Sequence, residues 1–219
     1  MSNQNNCCNS NDCCNNGDCC NNDECLSRKV VVDASGHVVG KLASRVAKLL
    51  LEGYEVDVVA CERAIFTGPL ERHVGKYKDW KRKRCIVNPM RGAFHYKEPS
   101  KYFFKVLRTM VQRKTNRGGE ALGKLGCYEA IPAQFVGVER VMFPEALHVV
   151  TNNVERRTCT IGQLLSKFGW KYVTLSDEIY SRAMKAEKEI KRRETERKEQ
   201  LVESEEFKKK VRARLLELK

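Results

Sequence analysis

No run of apolar residues in this 219-residue chain approaches the length of about 20 that a membrane-crossing helix requires, so the sequence reads as a soluble protein. No long amphipathic segment joins a wide apolar face to a basic one, which argues against a membrane surface as partner. A basic leader followed by an apolar core is also missing, so no secretory signal is expected. Histidine is scarce: His37, His73, His95 and His148 are scattered, and no Cys-x-x-Cys pairs with them or with the isolated Cys61, Cys85, Cys127 and Cys159. A zinc centre in the body of the chain is therefore not indicated, and the four cysteines read as small buried hydrophobes in a reducing cytosol. There is no G-x-S-x-G to hold a serine nucleophile. The segment Gly36-His37-Val38-Val39-Gly40-Lys41 sits where a phosphate loop would, but three residues separate its glycines where a P-loop has four, and Leu42 stands where Ser or Thr would hold magnesium. No G-x-G-x-x-G occupies this turn either. Catalytic residues, metals, cofactors and a small-molecule substrate are accordingly not expected.

Acidic residues are almost missing from one stretch. Between Lys76 and Arg117, fourteen Lys and Arg face only Asp79 and Glu98, with seven aromatics interleaved. Like charges this dense repel across a Debye length of about 8 Å unless an anion neutralises them, and a phosphate backbone is the obvious counter-ion. The formal net charge of the chain is +13, but residues 1–27 hold four acids and no Lys or Arg, so the rest carries +17. The candidate RNA contacts in the basic stretch are Lys76, Lys78, Lys81, Arg82, Lys83 and Arg84, then Asn88, Arg91, His95 and Lys97, then Lys101, Lys105 and Arg108, and finally Arg113, Lys114 and Arg117. Lys41 and Arg45, on the polar face of an earlier helix with Lys48, are further candidates. The interleaved aromatics read as packing residues.

The first 27 residues form a different object. Cys-Cys-Asn begins at Cys7, Cys13 and Cys19 in a six-residue repeat closed by Cys25, and seven of the eleven cysteines lie here. A disordered low-complexity tail is the expectation, with soft-metal binding by clustered thiolates as the alternative.

From Lys29 the pattern becomes that of a folded α/β unit. Val30 to Asp33 predicts a buried strand, Ser35-Gly36-His37 a turn, and Val39, Leu42, Ala43, Val46 and Leu50 the apolar stripe of a helix ending near Gly53. Gly40 reads as a site of close helix packing. Val56 to Ala60 predicts a second strand covered on both faces, and strand-helix-strand implies a parallel sheet. Further on, Ser100 reads as the N-cap of a helix whose core row is Phe103, Val106, Leu107 and Met110, with Lys101, Lys105, Arg108 and Gln112 on the opposite side and Thr115 to Gly119 as its end. Glu120 to Leu125 predicts one or two helical turns, Ile131-Pro132 a loop, and Val138 to Val141 with Ala146 to Thr151 short extended pieces. Gly169 caps a helix begun after Thr160, and Trp170 and Tyr172 read as packing residues. Ser176-Asp177 is expected to cap a long helix to Lys219 in which fourteen basic and eleven acidic residues mix without a heptad, a solvated helix or a partly disordered charged tail.

Several of these stretches, taken in order, resemble one family. Val31-Val32-Asp33-Ala34-x-Gly36-His37-Val38-x-Gly40-Lys41-Leu42-Ala43-Ser44, Asn88-Pro89-x-Arg91-Gly92-x-Phe94-His95, Pro99-Ser100, Lys114-Thr115-x-Arg117-Gly118, Val141-x-x-Pro144-x-Ala146-Leu147-x-Val149-Val150 and Gly169-Trp170-Lys171-Tyr172 are similar to universal large-subunit ribosomal protein thirteen in its eukaryotic thirteen-A form. The resemblance covers about residues 28–175. Arg108-Thr109-Met110-Val111-Gln112 departs from the usual Arg-Gly-Met-Leu-Pro, and the Cys/Asn repeat has no counterpart. The resemblance implies an α/β fold, a three-layer core with a mostly parallel sheet flanked by helices, to which the residue patterns add a long charged C-terminal helix and a disordered N-terminal tail. The expected divisions are a tail at 1–27, an RNA-binding core at 28–175 and a helical extension at 176–219. The implied role is non-enzymatic: a structural constituent of the cytosolic large ribosomal subunit, bound to its ribosomal RNA and to neighbouring large-subunit proteins, supporting assembly and translation after passage through the nucleolus. Two other readings stay open on the sequence, a free RNA-binding regulator of particular messages and a nucleotide-dependent α/β enzyme. Co-sedimentation with large subunits, or nucleotide turnover, separates them.

Overall fold

The computed structural model describes residues 29–203 and, beyond them, residues 208, 209, 211, 213 and 214; the Cys/Asn repeat lies outside these, as does most of the chain beyond 203. The valine run forms β1 (Lys29–Asp33), which pairs in parallel with β2 (Glu55–Val59), Lys29 facing Glu55 and Asp33 facing Val59. A parallel pair needs a crossover, supplied by α1 (Val39–Leu51). The next crossover carries β3 (Ile65–Thr67), α2 (Leu70–Arg82), α3 (Pro99–Arg108) and α4 (Asn116–Gly123) before β4 (Leu125–Cys127) joins the other edge of β2, again parallel. After a short α5 (His148–Thr151), β5 (Thr158–Thr160) pairs antiparallel with β3 and leads directly into α6 (Ile161–Ser166) and the long α7 (Val173–Glu203).

Strand periodicity of two sorts the valines between two layers. Val32, Val56 and Val58 pack with Val39, Leu42, Val46 and Leu50 of α1 and with Phe103 and Leu107 of α3. Val31 and Val59 point to the other face, where Ile131, Phe135 and Ala183 of α7 cover them. The sheet is thus the middle of three layers, as the fold class expected.

The first turn is built by hydrogen bonds to a segment more than a hundred residues away. His37 is fully buried; its Nδ1–H donates to the Ser35 carbonyl at 3.0 Å and its Nε2 accepts the Phe143 N–H at 3.1 Å. Val38 N–H donates to the Ala146 carbonyl at 2.8 Å, and His148 N–H to the Gly36 carbonyl at 3.0 Å. Two separated sequence motifs are therefore one structural unit. Burial holds the His37 pKa below its ordinary value of 6.5, against the opposing influence of Ser35 and Asp33, so the ring is neutral.

Several local expectations change. Gly40 is exposed and a side chain there would meet nothing within 4 Å, so it is not a close-packing position. Pro99 begins α3 after Glu98, and the Ser100 hydroxyl, instead of capping, donates to Glu129 Oε1 at 3.3 Å. The same helix ends at Arg108, leaving Met110 exposed and Val111 buried, and Thr115 starts a new helix: its Oγ1 accepts the Gly118 N–H. Residues 120–123 are helical as expected, but Leu125 already opens a strand, and of the pieces expected to be extended around Pro144, Val141 bridges to Val32 and Leu147 to His37, while 148–151 form a helical turn. Trp170 is buried as expected, whereas Tyr172 is 61% exposed. Cys61 and Cys159 are buried; Cys85 and Cys127 are only partly so.

The charged helix begins at Val173, a turn earlier than its sequence suggested, and its first half is docked rather than solvated. Ser176, Ala183 and Glu187 are buried along one stripe. The Arg63 guanidinium lies 3.6 Å from the centre of the Tyr180 ring and 2.8 Å from Asp177. Residues 191–202 are exposed throughout, with Arg192 and Arg193 paired to Glu189 one turn away.

Candidate nucleic-acid interface

Helix α2 carries the start of the basic stretch. Leu70, Val74 and Tyr77 recur at helical spacing on its inner side, Glu71 sits in the first turn and Lys81 and Arg82 in the last, a charge order that complements the helix dipole. Lys76, Lys78, Lys81 and Arg82 are left on the exposed side. Past Lys83 the backbone has no regular structure until α3, apart from a tight turn at Pro89–Arg91 in which Asn88 Oδ1 accepts the Met90 N–H.

That irregular segment is fastened to α2 and α3 by the interleaved aromatics. Tyr77 Oη–H donates to the Tyr96 carbonyl at 2.8 Å, and His95 Nε2–H donates to the Trp80 carbonyl at 2.8 Å while the two rings meet edge to face with centroids 4.5 Å apart. Tyr77 also packs on Phe168 with centroids 4.1 Å apart. Lys105 reaches back from α3, donating to the Phe94 carbonyl at 2.7 Å with its ammonium 3.9 Å from the centre of the Trp80 ring. Burial, then the neighbouring Arg108, lowers the Lys105 pKa. Gly92 lies against Cys85 so closely that an added Cβ would stand 2.8 Å from the Cys85 nitrogen, which explains a glycine at the point where the segment doubles back.

On this frame Lys78, Lys81, Arg82 and Arg84 line a cavity of ≈ 630 Å³ together with Ile86 and Phe168. Arg82 has a single ion pair among the described residues, 3.6 Å from the exposed Asp79. Ile86, Val87 and Met90 are exposed at 83% or more, within the most basic part of the chain. Cationic rims over apolar surface suit a polyanion that also has flat apolar groups, which describes nucleic acid.

The other candidates divide by what their side chains already do. Lys41, Lys76, Lys83, Arg91, Lys97, Arg113 and Lys114 are exposed and make no ion pair among the described residues. Arg108 is half-buried. Lys101 pairs with Glu98 at 2.8 Å, and Arg45 pairs with Glu145. Lys105 and His95 are committed to the loop contacts above, and Arg117 Nη2 donates to the Leu51 carbonyl at 3.0 Å, completing the end of α1.

The family model described as ribosomal protein L13 matches residues 27–134. Large ribosomal subunit protein uL13 of Drosophila melanogaster is 43% identical over 146 residues, 67% of this chain and 71% of the fly protein. The chain belongs to the ribosomal protein L13 family. Proteins of the same name from Spodoptera frugiperda and Caenorhabditis elegans are 42% and 40% identical over the same length, each covered to 72%.

The L13 match spans β1 to the turn after β4 and so contains the whole basic stretch with the aromatic fastening beneath it. It stops before Arg140 and α7, which contribute residues that the sequence did not single out. Arg63, Phe168 and Ile86 were missed for a different reason: nothing local distinguishes them, and only the fold brings Arg63 to Tyr180, or Phe168 to the cations of α2.

Proposed function

We propose that this L13-family chain is a structural constituent of the cytosolic large ribosomal subunit, binding ribosomal RNA through the basic stretch and supporting subunit assembly without catalysing a reaction. Relatives that carry the name of a large-subunit protein support the setting. The single observation that carries the RNA contact is the cation-lined cavity and its flanking loop: four Lys and Arg side chains converge over Ile86 and Phe168, with one exposed acid, Asp79, as local counter-charge. Contacts of this kind go to phosphate and position the protein; they carry little base specificity. Lys41, Lys76, Lys83, Arg91, Lys97, Arg113 and Lys114 extend the same phosphate-binding surface, whereas Lys105, His95 and Arg117 shape it from within.

Tagged protein should co-sediment with large subunits in a sucrose gradient and stay with them through a moderate salt wash. In isolation, binding to a structured ribosomal RNA fragment should weaken steeply with salt: neutralising about six phosphates gives a slope of log K on log salt of roughly −4 to −5. A nearly flat slope, or sedimentation only at the top of the gradient, would overturn the proposal.

A further inference from the structure

Where α7 passes the end of β1, a cavity of ≈ 480 Å³ is walled by the carboxylates of Asp33, Glu139, Glu187 and Glu194 against two cations, Arg140 and Lys191. This inverts the charge of a chain whose net value is +13. Arg140 is largely spent within the wall: Nη2 stands 2.6 Å from Glu187 Oε2 and Nε 3.8 Å from Asp33 Oδ2, with the Arg140 side chain 13% exposed. Glu187 is left with a second oxygen, Oε1, that is buried and has no hydrogen-bond partner, on a side chain 8% exposed. Arg140 Nη1 is likewise buried and unpartnered. Charged groups are not left unsatisfied in a protein interior without cost, so an entering group that reaches these two buried atoms gains one acceptor and one donor. Val138, Met142 and Ile190, each at least 36% exposed, add an apolar border.

The chemistry of the occupant follows. Phosphate is repelled by the carboxylates, and no three of them are grouped to hold a metal ion. A free polyamine would satisfy Glu187 but offers nothing to Arg140 Nη1. A peptide bearing Lys or Arg answers both, with its charged head donating to the carboxylate and a main-chain carbonyl accepting from the guanidinium, while the aliphatic stem lies on the apolar border. We propose that this cavity is a docking site for a basic side chain carried on a segment of a neighbouring protein. The inference takes from the proposed function only that the chain works beside other proteins.

Full-length protein, titrated by fluorescence anisotropy with a short labelled peptide holding one arginine between leucines, should bind it about tenfold or more tighter than the same peptide with neutral citrulline in place of arginine. The double variant Glu139→Gln/Glu194→Gln, which leaves the Arg140–Glu187 pair intact, should lose most of that preference. Glu196→Gln/Glu199→Gln, the same change of charge on the exposed part of α7 outside the cavity, should not. Equal affinity for the two peptides, an unaffected Glu139→Gln/Glu194→Gln variant, or spermidine displacing the peptide at equal concentration would each overturn the proposal. Binding of ribosomal RNA should be unchanged in all three proteins, so failure here is distinguishable from failure of the RNA reading.

Discussion

Replacing Lys105 by methionine separates two uses of positive charge within one short stretch. Methionine keeps the apolar length of the side chain and removes the ammonium that donates to the Phe94 carbonyl and lies over Trp80. A hydrogen bond from a charged donor contributes about 1.5–3 kcal/mol and a cation over an exposed aromatic ring about 0.5–1. Lys105 is only half-buried, which favours the lower ends of both ranges. The expected loss is about 2 kcal/mol, a fall in Tm of roughly 4–8 °C for a chain of this size. Hydrogen exchange should quicken at 83–98, the segment that Lys105 holds. Affinity for RNA should drop because the loop is loosened, yet the salt slope should be unchanged, since no phosphate contact has gone. Arg84→Ala should do the reverse, leaving Tm in place and lowering the magnitude of the slope by at most about 1. If Lys105→Met left stability untouched and reduced the slope as Arg84→Ala does, the distinction between fastening and contacting cations would be wrong.

Leu107→Ala, at a fully buried position of α3, should cost about 2–5 kcal/mol in urea denaturation, while Arg82→Ala costs almost nothing and weakens RNA binding; unfolding by Arg82→Ala would mark the charge run as structural. Because the folded pKa of His37 is depressed, its contribution to stability is complete above about 6.5 and is lost as pH falls through that value toward the folded pKa, by at most about 1.4 kcal/mol per pH unit. Urea midpoints should therefore fall more steeply below that pH in the native chain than in His37→Gln, and parallel curves would refute the assignment. Gly92→Ala should disturb the basic loop, visible as faster exchange at 83–98, without shifting α1 or the sheet, because the three atoms nearest the new methyl all belong to Cys85 of the same loop.

The central architecture was legible because β1, α1 and β2 carry apolar patterns of the right period, broken in β2 only by Asp57, which pairs with Lys29. Helix α2 was not recognised, although Leu70, Val74 and Tyr77 mark its inner side, because charged residues crowd the intervening positions. The end of α3 was misplaced for a different reason: Met110 continues the helical spacing, but the backbone turns at Thr109 so that Val111 can be buried and Thr115 can start α4. In the candidate interface, charge density was plain from composition. Which cations already have a partner was not, since the acceptors for Lys105, His95 and Arg117 are main-chain carbonyls of Phe94, Trp80 and Leu51, brought near only by the fold. The docked half of α7 escaped notice because its buried stripe includes Ser176 and Glu187, polar residues that no hydrophobic pattern would select.

The hold of Arg140 on both Glu187 and Asp33 also sets a timetable for synthesis. Val31 and Val59 are made early, but Ala183 on α7, with Tyr180 and Met184 beside it, completes the layer that covers them, and the Glu187 pair one turn further on fastens it. At elongation rates of about 5–20 residues per second, roughly 6–26 s separate the synthesis of Val59 from that of Glu187. For that interval one side of the young sheet is incompletely covered, and within it the whole basic stretch is made. A nascent chain in this condition is sticky in two ways at once, toward other apolar surfaces and toward any RNA within reach. Apolar surface exposed in this way during synthesis is the kind that chaperones cover.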